Sequence, residues 1–213
     1  FQKNNMELFD VYPLYDITPV KGEGCYVYDE NGTKYLDLYG GHAVISIGHS
    51  HLEYVKAISD QVSKLGFYSN SIKNPMQQEL ADKLEKLAGI ENYQLFLCNS
   101  GAEANEAAIK LARLHTPEDR FKIITFQGGF HGRTYAATTA TAQPKYHEGI
   151  GPLMAGFDYV PFGDLDAVRD AVDEETAAIM VEPIQGEGGI RIPPDGFLAG
   201  LREIADAHDL VLI

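Results

Sequence analysis

Three short segments hold the residue types and spacings that could do chemistry. The first is Asn99-Ser100-Gly101-Ala102-Glu103-Ala104-Asn105-Glu106. A glycine at a helix start lets the backbone approach an anion, the first amides point at it, and the helix dipole favours negative charge. Gly101 and Ala102 are the residues so placed, and a phosphate suits them. The pattern is neither a dinucleotide fingerprint nor a P-loop, because no Gly-Lys-Ser/Thr follows. The same residues also make a serine-capped helix in which Glu103 completes a capping box, with no ligand at all.

The second segment is Gln127-Gly128-Gly129-Phe130-His131-Gly132-Arg133-Thr134. Its glycines permit a tight path beside a ligand. Phe130 offers a flat apolar face, and Arg133 a planar fork for a carboxylate. A surface turn with an exposed arginine and a core phenylalanine is the plainer alternative. The third is Val181-Glu182-Pro183-Ile184-Gln185-Gly186-Glu187-Gly188-Gly189. Its two carboxylates could act as acid and base, pair with cations, or simply decorate a polar loop. His49, His51 and His131 lack a third partner at a ligand-like spacing, so no metal site is expected. No nucleophile elbow is present.

Each segment follows an apolar run, and these runs define the frame. Leu95 to Cys98, Ile123 to Phe126, Ala178 to Val181 and Leu210 to Ile213 read as short buried strands. Between them lie helical patterns: Val55, Ile58, Val62 and Leu65; then Leu80, Leu84 and Leu87 after Pro75, stopped by Gly89; then Ala102 to Leu114; then a helix opened by Asp195, with Phe197, Leu198, Leu201, Ile204 and Ala205 inward. Strands alternating with amphipathic helices predict an α/β fold, a largely parallel sheet sandwiched by helices, with ligands outside the carboxyl ends of the strands. Before them, Cys25 to Asp29 and Thr33 to Leu38 flank Asn31-Gly32, a strong hairpin signal. The domain reading is therefore 1–50, a segment of a smaller α+β domain, and 51–213, the N-terminal part of a large ligand-binding domain.

The chain has 213 residues and a formal net charge of −14, which argues against nucleic acid or an anionic membrane surface as the main partner. Cys25 and Cys98 fall in different predicted strands and read as reduced, buried thiols of a cytoplasmic protein. No apolar run reaches the roughly 20 residues of a membrane span. Phe1 to Asn5 lacks the apolar core of a signal peptide, and Met6 could be the natural initiator.

In order, the three segments resemble the motifs of the class III (ornithine-type) aminotransferases, which use pyridoxal 5'-phosphate (PLP) on fold type I. Gly41-His42-Ala43-Val44 and Gly48-His49-x-His51 match the N-terminal pattern, with Leu52 where the family commonly has proline. The likeness covers the chain after Met6 and is greatest to the acetylornithine and succinylornithine enzymes. It implies that the Gly101 and Ala102 amides bind the cofactor phosphate and that Phe130 stacks on its ring. It implies that Arg133 holds the substrate α-carboxylate, that Glu187 gates substrate orientation, and that Tyr15 contacts substrate. It further implies a Schiff-base lysine beyond Ile213 and an aspartate for the pyridine nitrogen directly after the Leu210 to Ile213 strand.

The expected reaction moves the δ-amino group between an N-acylated ornithine and 2-oxoglutarate, in arginine metabolism, by a homodimer. Ornithine or 4-aminobutyrate aminotransferase is the alternative within the class. A PLP racemase or aminomutase of the same fold, or a non-catalytic piece, is the alternative outside it.

Overall fold

The structure, a computed structural model, describes residues 8–213; Met6 lies outside the described residues. Two compact units divide the chain, Phe1–Leu84 and Glu85–Ile213.

The first unit opens with an antiparallel sheet, β1 (Pro19–Glu23), β2 (Tyr26–Asp29) and β3 (Lys34–Leu36), in the order β1-β2-β3. The Asn31-Gly32 hairpin forms as its sequence demands. Gly32 takes φ +80°, and the Asp29 carboxylate accepts the Asn31 and Thr33 amides at 3.0 and 2.7 Å. A four-residue turn, α1 (Gly40–Ala43), contains left-handed Gly41 and His42. His49 works as a latch here. It exchanges backbone hydrogen bonds with Gly24, and its ring meets the Asp37 carboxylate at 2.7 Å. That bond holds the Asp37 carboxyl below the usual carboxylate range. Two helices follow, α2 (Leu52–Leu65) and α3 (Pro75–Ala88), the second running across the boundary between the units, and neither has a buried residue.

The second unit carries the core. Helix α4 (Gly101–His115) leads into β4 (Lys122–Phe126), α5 (Tyr135–Ala140), a 3-10 turn at Pro144–Tyr146, β5 (Phe157–Val160), α6 (Leu165–Ala171), β6 (Thr176–Ile179), α7 (Phe197–His208) and β7 (Val211–Leu212). The strands form a parallel sheet in the order β5-β4-β6-β7. Successive strand residues point to opposite faces, so the sheet feeds two cores. Ile124, Phe126 and Ile179 pack with α6 and α7 through Val168, Phe197, Leu201 and Ile204. Ile123 and Ala178 pack with α4 and α5 through Ile109, Ala112, Ala136 and Ala140. Each large side chain buried this way contributes roughly 1.5–3 kcal/mol. The expected helix-covered parallel sheet is present.

Three expectations are corrected. Leu95 to Cys98 is not a buried strand: it has no ladder partner among the described residues, and Phe96 is 62% exposed. An apolar run becomes a strand only where another edge accepts its backbone groups. Cys25 and Cys98 are free thiols as expected, but exposed rather than buried. Cys25 sits in the turn between β1 and β2, and Cys98 in the unpaired run. Leu198 is 41% exposed, because the inward face of α7 is filled by Phe197, Leu201, Ile204 and Ala205. Among the described residues no helix is long and apolar enough to cross a membrane.

Candidate active site

Strand order places the site. From β4 the chain turns to β5 on one side, and from β6 it turns to β7 on the other. Loops leaving adjacent strands in opposite directions open a crevice at the carboxyl ends, the usual ligand site of such sheets. The loop after β4 carries Phe130 and Arg133, and the loop after β6 carries Glu182 and Glu187.

The two loops are bonded to each other. Glu182 Oε2 accepts the Phe130 amide at 2.8 Å and its Oε1 accepts the Gly186 amide at 3.4 Å. Gln185 is buried and donates to the Gln127 carbonyl at 3.1 Å. Gly188 lies so close that a Cβ there would stand 2.5 Å from the Gly128 carbonyl oxygen. Gly128 itself has φ +83°, which permits this approach.

Helix α4 supplies the third wall. The Ser100 hydroxyl accepts the Glu103 amide at 3.2 Å, and the Glu103 carboxylate reaches back to the Asn99 amide at 2.7 Å. The Asn99 side chain and amide hold the Glu103 carboxyl below its ordinary range. The capping box therefore exists, and it uses the amides of residues 99 and 103. The amides of Gly101 and Ala102 remain for an anion. Space beside Gly101 is open: nothing stands within 4 Å of where its Cβ would be. Capping and anion binding are thus compatible on one helix end.

Gly132 joins this helix end to the Phe130–Arg133 loop. It has φ +131°, and a Cβ on it would fall 2.7 Å from the Ala102 Cβ. Gly101, Ala102, Phe130 and Arg133, predicted separately, are therefore brought together. The Phe130 ring meets Tyr146 edge-on at 5.5 Å, and the Arg133 guanidinium lies 4.8 Å from the Tyr146 ring and 6.0 Å from the Phe130 ring. Cations favour aromatic faces at these distances. Sequence reasoning missed Tyr146, which lies in a 3-10 turn outside the three segments singled out. Glu187 is exposed on its loop. Tyr15 belongs to the other unit, where it is 90% exposed. His131 is buried, and burial pushes its ring down to about 4, so it is neutral near pH 7. Among the described residues no group of three or more His, Cys, Asp or Glu is arranged to hold a metal ion.

Sheet and crevice together define an α/β protein in which an open helix N-terminus, an aromatic ring and an arginine meet beyond the carboxyl ends of the central strands of a parallel sheet. Residues 10–213 match the family described as Aminotransferase class-III, and the chain belongs to that family. It is 48% identical to the acetylornithine aminotransferase of Myxococcus xanthus, over 100% of this chain and 53% of that one. To the acetylornithine aminotransferase of Methanopyrus kandleri it is 47% identical, over 96% of this chain and 52% of that one. An ornithine aminotransferase structure from Toxoplasma gondii, with PLP at partial occupancy in its active site, matches with TM-score 0.87 and 30% identity, over 94% of this chain and 48% of that one. The chain spans about half the length of the curated relatives it matches.

Proposed function

We propose that the full-length protein is a PLP-dependent aminotransferase that moves the δ-amino group between N-acetylornithine, or its N-succinyl counterpart, and 2-oxoglutarate. The observation that carries this reading is the junction at Gly132, which seats the anion-receiving end of α4 directly against the loop bearing Phe130 and Arg133. The names of the relatives support the acylornithine substrate.

The residues fit the cofactor. The Gly101 and Ala102 amides, open on one side, suit its phosphate. Phe130 is placed to cover its ring, and the Glu182 carboxylate fixes the main chain beneath that ring. When bound, PLP supplies an electron sink for the carbon that exchanges its amino group. Arg133 orients the substrate through its α-carboxylate, which a guanidinium recognises by a paired, charge-assisted contact. Glu187, on the facing loop, pairs with an arginine and gates substrate orientation. A substrate contact for Tyr15 is carried by the family likeness alone. Two copies of the full-length protein form the active enzyme, which works in the cytoplasm.

Replacing Arg133 by Ala in the full-length enzyme raises KM for the amino donor by roughly 10- to 100-fold, the loss of about 1.5–3 kcal/mol of charged hydrogen bonding. PLP affinity, followed by fluorescence, changes little. Loss of PLP with an unchanged KM refutes the assignment. Rates with N-acetylornithine, ornithine and 4-aminobutyrate then decide the substrate. Equal rates with acylated and free ornithine remove the preference for the acyl group.

A further inference from the structure

We propose that Glu106 is a positioning residue for Arg133, holding the main chain that carries it at a fixed distance from the phosphate-receiving end of α4. This rests on the reading of Arg133 as the carboxylate-binding residue.

The geometry is specific. Thr134 begins α5, yet its side chain makes no capping hydrogen bond to that helix. The hydroxyl donates instead to Glu106 Oε1 at 2.6 Å. The same oxygen accepts the Ala136 amide at 3.0 Å and the Ala137 amide at 3.2 Å. A carboxylate from α4 thus does for α5 what a capping side chain normally does from within its own segment. One position earlier, the Asn105 side-chain amide donates to the His131 carbonyl at 2.6 Å. Residues 131 and 134, on either side of Gly132 and Arg133, are therefore pinned by neighbouring residues of α4. Gly132 fills the space between, against Ala102.

These anchors lie about one helical turn beyond Gly101, on a rigid helix of 15 residues. The distance from the α4 amides to the Arg133 main chain is then set by short bonds rather than by the loop alone. A substrate whose amino group must reach a cofactor seated on those amides needs its carboxylate held at a matching distance, because small misplacement at a reacting centre lowers the rate steeply. Glu106 touches neither cofactor nor substrate in this scheme and acts through Arg133.

The test uses the full-length holoenzyme. Glu106→Ala is expected to raise KM for the amino donor, and the calorimetric dissociation constant of glutarate as an unreactive carboxylate, by roughly 5- to 10-fold, the loss of about one strong hydrogen-bonding anchor. PLP affinity stays within about twofold, and Glu106→Gln, which keeps an acceptor oxygen, restores most of the loss. In an Arg133→Ala background, Glu106→Ala adds nothing further, since the two residues act as one unit.

An unchanged glutarate affinity in Glu106→Ala overturns the proposal. So does a loss of equal size with and without Arg133, which marks a purely structural bond. If Arg133→Ala itself leaves glutarate affinity intact, the reading of Arg133 fails first and takes this inference with it. If Glu106→Ala does not fold, Thr134→Val removes only the hydroxyl donor. It is expected to weaken glutarate by roughly twofold through loss of a single bond, and no change again overturns the proposal.

Discussion

Helices α2 and α7 carry similar apolar stripes and meet different surroundings. On α7, Phe197, Leu201, Ile204 and Ala205 are all at most 5% exposed, packed on the sheet with Ile124 and Ile179. On α2, Val55, Ile58, Val62 and Leu65 remain 47%, 50%, 63% and 55% exposed. Both are amphipathic, so periodicity alone states that a helix has a face to bury. Whether it is buried depends on a partner surface: α7 has the sheet of its own unit, and α2 finds none among the described residues of its own. The same difference separates the two units: the fully buried apolar side chains belong to Glu85–Ile213, and Phe1–Leu84 contributes none among the described residues.

The largest test of this contrast is a matched pair of truncations. Leu201→Ala is expected to lower stability in denaturant unfolding by about 3 kcal/mol, from lost transfer energy and a cavity. Ile58→Ala is expected to lower it by less than about 0.5 kcal/mol, as at an exposed site. Equal losses would show the α2 stripe covered by a neighbour and erase the contrast.

The packed unit also encloses a titratable ring, and pH probes it. His131 titrates near 6.5 when unfolded and at about 4 when folded. Between those values the unfolded chain holds a proton that the folded chain does not. Stability is therefore fully present above about pH 6.5 and declines as pH falls to about 4, by about 3 kcal/mol in all. Thermal melts from pH 7.5 to 4 should show this slope, and His131→Gln should lack that part of it. An identical pH dependence in the variant would place the ring in solvent.

The smallest effect concerns helix ends. Ser100 caps α4 with its side chain, whereas His51, at the equivalent position of α2, makes no side-chain capping bond. Ser100→Ala should lower stability by about 1 kcal/mol, and His51→Ala should change it by no more than a few tenths of that. Hydrogen exchange at the first turn of each helix reads the two directly. Equal protection losses would deny the cap its role.

Much of the packed unit was legible because its strands are apolar runs buried on both faces. Strands β4, β6 and β7 and helices α4 and α7 stand within a few residues of where periodicity puts them. What stayed hidden has physical reasons. Strand β5 sits at the sheet edge and mixes Asp158 and Tyr159 with apolar residues, so it lacks the continuous apolar signal. Helix α5 is short and made of Tyr, Ala and Thr, buried along most of its length, and shows no stripe. Helix α6 has seven residues and is announced chiefly by its cap, Asp164. The 95–98 run had the composition of a strand without an edge to join. At the site, the glycines, Phe130 and Arg133 stood out by type. Glu106 and Asn105 did not, because their partners lie 26 to 31 residues away, and Glu182 stood out as a carboxylate while its bond to the Phe130 amide, 52 residues away, did not.

The contact between Gly188 and Gly128 constrains how such a crevice can be altered. Any side chain at 188 must displace the main chain of the opposite loop, because its first carbon would overlap a carbonyl oxygen there. Gly128 resists exchange for a different reason: its φ of +83° strains any side chain, which would also crowd Arg191 and Gln185. Change in the crevice is thereby channelled to exposed positions such as Glu187, which can vary while the paired backbones beneath it keep their course.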